Sequence, residues 1–160
     1  MIETIHEMNK RLQLSDEQIK SIAQELDSGF NCYINIETGE HHSLPDQYDS
    51  HFDMDIWQDE FDKLEENFDQ YFVIEKMPSR TSFQIMEAFA DQLPEGRTKD
   101  RLFYALNRNK PFRHFKYEVD YDEAIRQQWF KFKAQKQEEY VREEIDNFNR
   151  SERLKNGELN

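Results

Sequence analysis

Between Asp122 and Phe148 the chain contains no glycine and no proline, and Ile125, Trp129, Phe132, Tyr140, Ile145 and Phe148 are spread along it. A backbone free of helix breakers, with apolar residues at turn-sized intervals, forms a helix because those side chains share a face that can be buried. One long helix of this kind points to a helix-dominated fold, with the other elements packed around it.

The preceding segments supply those elements. SDEQIKSIAQEL, residues 15–26, opens on Ser15 as an N-cap, has acidic residues in its first turn, and sets Ile19, Ile22 and Leu26 at helical spacing before Ser28-Gly29 stops it. FNCYINIETGEHHSLP, residues 30–45, alternates instead, with Phe30, Cys32, Ile34 and Ile36 on one parity, and the Glu37-Thr38-Gly39-Glu40 turn reverses it into a β-hairpin. A polar loop over 46–55 leads to DIWQDEFDKLEENF, a helix whose buried side would hold Ile56 or Trp57, Phe61, Leu64 and Phe68. YFVIE, residues 71–75, reads as a third strand able to join the hairpin.

Beyond it the chain reads as all helix. Thr81 and Gln84 have capping-box spacing ahead of Phe83, Met86, Ala90 and Leu93, Leu93-Pro94-Glu95-Gly96 is a stop, and KDRLFYALN continues as a short helix. Pro111 suits a first helical position, which puts Phe112, Phe115 and Val119 on one face and Arg113, His114 and Lys116 off it; an alternating strand through Phe115, Tyr117 and Val119 is the other reading. The expected class is α+β: a small antiparallel sheet, the hairpin plus a third strand, against about five or six helices. The length of 160 residues fits a single domain over 1–150, with 151–160 a polar, frayed tail.

Composition sets the setting. Charged residues are 34 % and apolar ones 36 %, a balance near that of disordered chains, but 13 Phe, 7 Tyr and 2 Trp supply the buried area a solvated chain lacks. The lone Cys32 cannot form an internal disulfide and MIETIHEMNKR has no apolar signal core, so a cytoplasmic location is expected. No apolar run is long enough for a membrane span, and the net charge of -13 opposes anionic lipid and nucleic acid alike.

Against that background one region stands out. From Arg97 to Lys116 there are seven cations, Arg97, Lys99, Arg101, Arg108, Lys110, Arg113 and Lys116, against Asp100 alone, a local charge of +6. From Glu37 to Glu75 there are thirteen acidic residues against Lys63 alone, so the chain is charge-polarised rather than uniformly acidic. The cluster reads as an anion site, with Arg forks gripping phosphates or carboxylates and Tyr104, Phe112 or Phe115 stacking on bases. It also reads as structural, pairing with the acidic helix of 55–69 within the molecule or across a dimer, with Phe112 and Phe115 in the core.

The quoted residues Cys32 to Glu40, then SRTSFQIMEAFADQLPEG, RLFYALNRNKPFRHFK and QQWFKFK, stand in an order that resembles the bacterial uncharacterised protein family 0158. The resemblance runs from about Leu14 to Ile145, with ALNxxKPFRxFK and WFxFK its most specific elements; the acidic loop over 46–55 and the tail after Arg150 fall outside it. It implies a compact α+β domain and carries over no catalytic residue.

Other constellations are weaker. His41, His42 and His51 with Asp46, Asp49, Asp53 and Asp55 match no metal motif, and the loop lacks the central glycine and terminal Glu of an EF-hand, so no metal is assigned. Cys32 sits on the apolar parity of its strand, as a small buried hydrophobe does. No nucleophile elbow, phosphate loop or HExxH motif occurs, and no cofactor is expected. Trp129-Phe130-Lys131-Phe132-Lys133 reads as a wide apolar stripe, with Phe130 as an alternative contact residue. The sequence therefore points first to a non-catalytic binding or adaptor protein, with a protein partner or self-association, acting through Arg108, Lys110, Arg113 and Lys116. RNA or single-stranded DNA binding is the second reading, with Tyr104 and Phe112 stacking, and a hydrolase of an anionic substrate the third. Exposed aromatics beside the cations would favour the second, and a cleft holding a titratable pair the third.

Overall fold

Ser15 accepts the Gln18 N–H on its hydroxyl at 3.2 Å and so starts α1 (Asp16–Asp27), which buries Ile19, Ile22, Ala23 and Leu26 on one side. The structure, a computed structural model, describes residues 12–49, 52–155 and 157. Among these the chain forms six α-helices and a three-stranded antiparallel sheet, the helix-dominated α+β class read from the sequence. His51 and the ends of both termini lie outside the described residues.

Contacts group the chain into two compact units. Met1–Lys76 with Glu138–Asn160 make one, and Met77–Gln137 the other. The first holds the sheet, β1 (Phe30–Asn35), β2 (His41–Pro45) and β3 (Tyr71–Ile74), in the order β2-β1-β3, with Cys32 opposite Ser43 on one neighbour and Ile74 on the other. Its hairpin turn is built by Asn35, whose side chain accepts the N–H groups of Glu37 and Thr38 while Gly39 closes the loop at φ 77°, a left-handed conformation that favours glycine. Ile34, Cys32 and Ile74 are fully buried, and Ile19, Ile22 and Leu26 of α1 pack on them.

Two expectations for this unit are corrected. The helix of the acidic segment, α2 (Met54–Glu66), buries no residue completely: Ile56 is 70 % exposed, and Phe68, 74 % exposed, lies past the helix in a short 3-10 turn (Phe68–Gln70). Trp57, Phe61 and Leu64 are half-buried, with Trp57 6.4 Å from the Phe30 ring. Helical spacing marks an apolar side, but only a neighbouring element can cover it.

The second unit is all helix: α3 (Ser79–Gln92), α4 (Arg97–Leu106), α5 (Pro111–Asp120) and the first part of α6 (Glu123–Lys155). Phe89, Phe115 and Trp129 meet edge to face at its centre, flanked by Met86, Leu102, Leu106 and Val119. Burying each such side chain stabilises by roughly 1.5–3 kcal/mol. α3 starts two residues before Thr81, with the extended Pro78 as N-cap and no side-chain capping bond, so the capping box does not form. The strand reading of 115–119 is also lost, since these residues lie in α5. Phe112 is 44 % exposed, not buried with Phe115 and Val119.

Asp122 caps α6 by accepting the N–H groups of Ala124 and Ile125. The helix contributes Trp129 to the second unit and Val141 and Ile145 to the first, and it continues through 151–155, the start of the expected tail. Near its end Asn149 makes two bonds with the Leu12 backbone, at 2.9 and 3.0 Å. Among the described residues no helix is long and apolar enough to cross a membrane.

Candidate basic and aromatic binding surface

The seven cations singled out in the sequence lie on α4, on α5 and in the turn between them, all within Met77–Gln137. That unit has twelve basic and eight acidic residues, a net +4, whereas the rest of the chain has nine basic and 26 acidic, a net -17; together they give -13. The overall acidity therefore hides a basic unit.

α4 buries Leu102, Ala105 and Leu106, and the opposite side of its helical repeat brings out Arg97, Arg101 and Tyr104, with Arg108 following in the turn. Tyr104 is 68 % exposed and carries the Arg108 guanidinium over its ring, 5.4 Å from the centroid. On α5, Phe115 and Val119 face the core while Arg113, Lys116 and Tyr117 are exposed, Tyr117 at 67 %. Among the described residues Arg97, Arg101, Arg108, Lys110, Arg113 and Lys116 form no ion pair.

Lys99 differs from the other six. Its Nζ donates to the Asp91 carbonyl at 3.0 Å and to Glu95 Oε1 at 2.9 Å, and the Glu95 bond raises its pKa. It satisfies a carbonyl in the last turn of α3 and serves the fold. Lys110 is also unusual: it holds φ 56° and ψ 56°, the left-handed region that a non-glycine residue enters at a cost, directly before Pro111 starts α5.

Two clefts open beside this surface. One of about 360 Å³ is lined by Thr98, Arg101, Glu118, Tyr121 and Asp122 together with Leu102 and Glu123. A more open one of about 610 Å³ is lined by Gly96, Arg97, Asp100, Arg101, Tyr104 and Glu118. Tyr117, Glu118 and Tyr121 were not singled out in the sequence. The four-residue steps Arg113, Tyr117, Tyr121 along α5 were the signal that could have found the two tyrosines.

The remaining candidates are used locally. His41 Nδ1 lies 3.0 Å from Gln18 Nε2 and its Nε2 3.6 Å from Glu25, which also accepts the Ser43 hydroxyl, a cluster that ties α1 to β2. Asp46 and Asp49 face Lys76, and Asp53 caps α2. Burial pushes the Cys32 thiol up to about 12, with Glu25 adding to it. Phe130 carries the Arg126 guanidinium at 5.2 Å, and that arginine is held by Asp120 and Glu123.

Fold and site together define a helix-dominated α+β protein with a charge-segregated surface, in which one helical unit displays unpaired cations beside exposed aromatic rings. The chain belongs to the uncharacterised protein family UPF0158, whose family model matches residues 46–156. The match takes in the acidic loop over 46–55 and the chain as far as 156, both placed outside the family pattern from the sequence, and it does not include the Cys32 to Glu40 hairpin that had been placed within it. No curated protein and no solved structure matches the chain.

Proposed function

We propose that the chain is a non-catalytic binding protein that takes single-stranded RNA or DNA on the α4–α5 surface. The observation that carries this reading is Tyr104, exposed beside Arg108 and near in sequence to five further cations, because a ring for base stacking next to phosphate-binding groups is what single strands require. Tyr117 and the partly exposed Phe112 add rings on α5. The objection from net charge weakens, since the unit bearing the surface is at +4 and the field near a polyanion is set by local charge. The unfavourable backbone at Lys110 fits a residue kept for its charge rather than for the turn. A cytoplasmic location, expected from the lone Cys32, suits this role.

An adaptor role, with an acidic protein or a second copy of the chain as partner, uses the same cations but gives the exposed rings no part. The hydrolase reading is weaker still. Of the carboxylates that line the smaller cleft, Asp122 caps α6 and Glu123 is bonded to Arg126 and Gln127, which leaves Glu118 without a free partner there, and Asp100 borders only the more open cleft, with Glu118.

Fluorescence anisotropy with labelled uridine-rich RNA and thymidine-rich DNA, across a salt series starting on the order of 50 mM, tests the proposal. Affinity should fall steeply with salt, drop about tenfold or more in Arg108→Ala/Arg113→Ala, and drop about tenfold in Tyr104→Ala, with folding unchanged in both variants because these residues are exposed. Absence of binding by the wild type at the lowest salt would sink it and leave the adaptor reading in its place.

A further inference from the structure

Glu118 lies on the flank of α5, between the buried side that holds Phe115 and Val119 and the exposed side that holds Tyr117. Its carboxylate is half-buried, lines both clefts, and has no hydrogen bond or ion pair among the described residues. Arg101 lines the same two clefts and is likewise unpaired. An acid and a base that border one cavity without meeting leave the acceptor and the donors both open to a third group. The other carboxylates of the smaller cleft are engaged, Asp122 in capping α6 and Glu123 with Arg126 and Gln127. Exposed tyrosines stand at the clefts, Tyr104 at one and Tyr121 at the other.

The ligand that suits this wall is flat, offers a pair of adjacent N–H donors to Glu118, and offers acceptors to Arg101. Among the nucleobases guanine has that pattern: N1–H and the N2 amino group lie side by side on its Watson–Crick edge, and O6 with N7 forms the acceptor pair that arginine reads. Adenine and cytosine each set an amino donor beside an acceptor, and uracil sets one N–H between two acceptors, so each would turn at least one lone pair towards the Glu118 carboxylate. A cleft of about 360 Å³ falls within the range of small-ligand sites.

We infer that this cleft is a guanine-reading subsite: Glu118 accepts from N1–H and N2–H, Arg101 donates to O6 and N7, and a tyrosine stacks on the ring. The inference rests on the single-strand reading. The other cations of α4 and α5 hold the backbone without regard to sequence, and Glu118 with Arg101 selects the base.

The test compares uridine-rich oligonucleotides carrying one central guanine, inosine, adenine or cytosine. Wild type should favour guanine over adenine about tenfold, as one bidentate base contact provides, with inosine between them because it lacks the N2 amino group. Glu118→Gln should bind guanine and inosine alike, with the remaining preference of both over adenine and cytosine being the share that Arg101 supplies through O6 and N7. Equal, salt-sensitive binding of all four by wild type would overturn the subsite while leaving the single-strand reading in place, and needs no variant. A preference for guanine over inosine that survives in Glu118→Gln would overturn the role of Glu118. GMP displacing the strand at the strand's own affinity, unaffected by Arg108→Ala/Arg113→Ala, would overturn the assignment to a strand in favour of a free guanine nucleotide. Failure of every oligonucleotide to bind at low salt would overturn both readings together.

Discussion

The two units build their cores from different side chains. Around the sheet the fully buried residues are small or aliphatic, Ile22, Cys32, Ile34, Ile74 and Val141, and the aromatic contacts such as Phe72 with Phe148 lie at the margin. In Met77–Gln137 the centre is itself aromatic, Phe89 against Phe115, Trp129 and Phe132. The contrast follows from shape: a pleated sheet against α1 and the later part of α6 leaves a thin, even space that β-branched residues fill, whereas four helix segments leave wider gaps that rings fill. Charge divides the same way, -17 against +4. A basic surface can therefore persist in an acidic protein provided that its cations and the carboxylates belong to separate cores.

The largest effect expected is at Cys32, which reports on the first unit alone because it is the one cysteine of the chain. With the thiol raised from 9.0 to about 12, its thiolate fraction at pH 8 is about a thousandfold below that of an ordinary thiol, and iodoacetamide should label the native protein slower by at least that factor than the urea-unfolded chain. Since the folded state retains this proton, the corresponding stability is present below pH 9 and is lost as pH rises towards 12. Next is Phe89→Ala in the second unit, expected to lower unfolding free energy by about 3–5 kcal/mol in urea titrations followed by Trp129 fluorescence in a Trp57→Phe background. Because α6 feeds both cores, Cys32 labelling should accelerate in that variant; an unchanged rate would separate the units as independently unfolding bodies. Lys110→Gly should stabilise by about 0.5–1 kcal/mol by releasing the left-handed backbone, and should lower the salt slope of oligonucleotide binding by about one ion, which a shift in stability alone would not do. The smallest effect belongs to the exposed Asp16–Arg142 pair, at 2.6 Å. Its hydrogen bond holds the Asp16 carboxyl below the usual value, so Asp16→Asn should slightly lower stability above about pH 4, and the difference from wild type should vanish as pH falls through the depressed value in circular dichroism melts.

Period-based features were legible in the sequence: α1 with its Ser15 cap, the hairpin and its turn, the third strand and the long α6 each rest on local spacing and local caps. What depended on a neighbour was not. Ile56 and Phe68 have the spacing of buried residues and lie exposed, because nothing in a helical repeat says which element will cover it. Lys99 and Arg101 stand two residues apart with the same charge, yet one is bound to the end of α3 and the other borders a cleft. The α3 start was misplaced because a proline cap offers no side-chain signature. Glu118 went unmarked because it stands just past the basic stretch, ahead of Asp120, Asp122 and Glu123, and looks like one of a solvated acidic run until the cleft it lines is in view.

The bonds between Leu12 and Asn149 span 137 positions, which bears on the order in which the chain can assemble as it leaves the ribosome. Met77–Gln137 is one uninterrupted piece of sequence, so its helices can collapse on Phe89 as soon as residue 137 has emerged. The sheet must wait, with Cys32, Ile34 and Ile74 made early and covered only by α1 until Val141 and Ile145 arrive further along the same helix. The middle of the chain is thus the first part able to finish folding, and a nascent chain stalled before residue 141 would hold a complete basic unit and an incomplete acidic one.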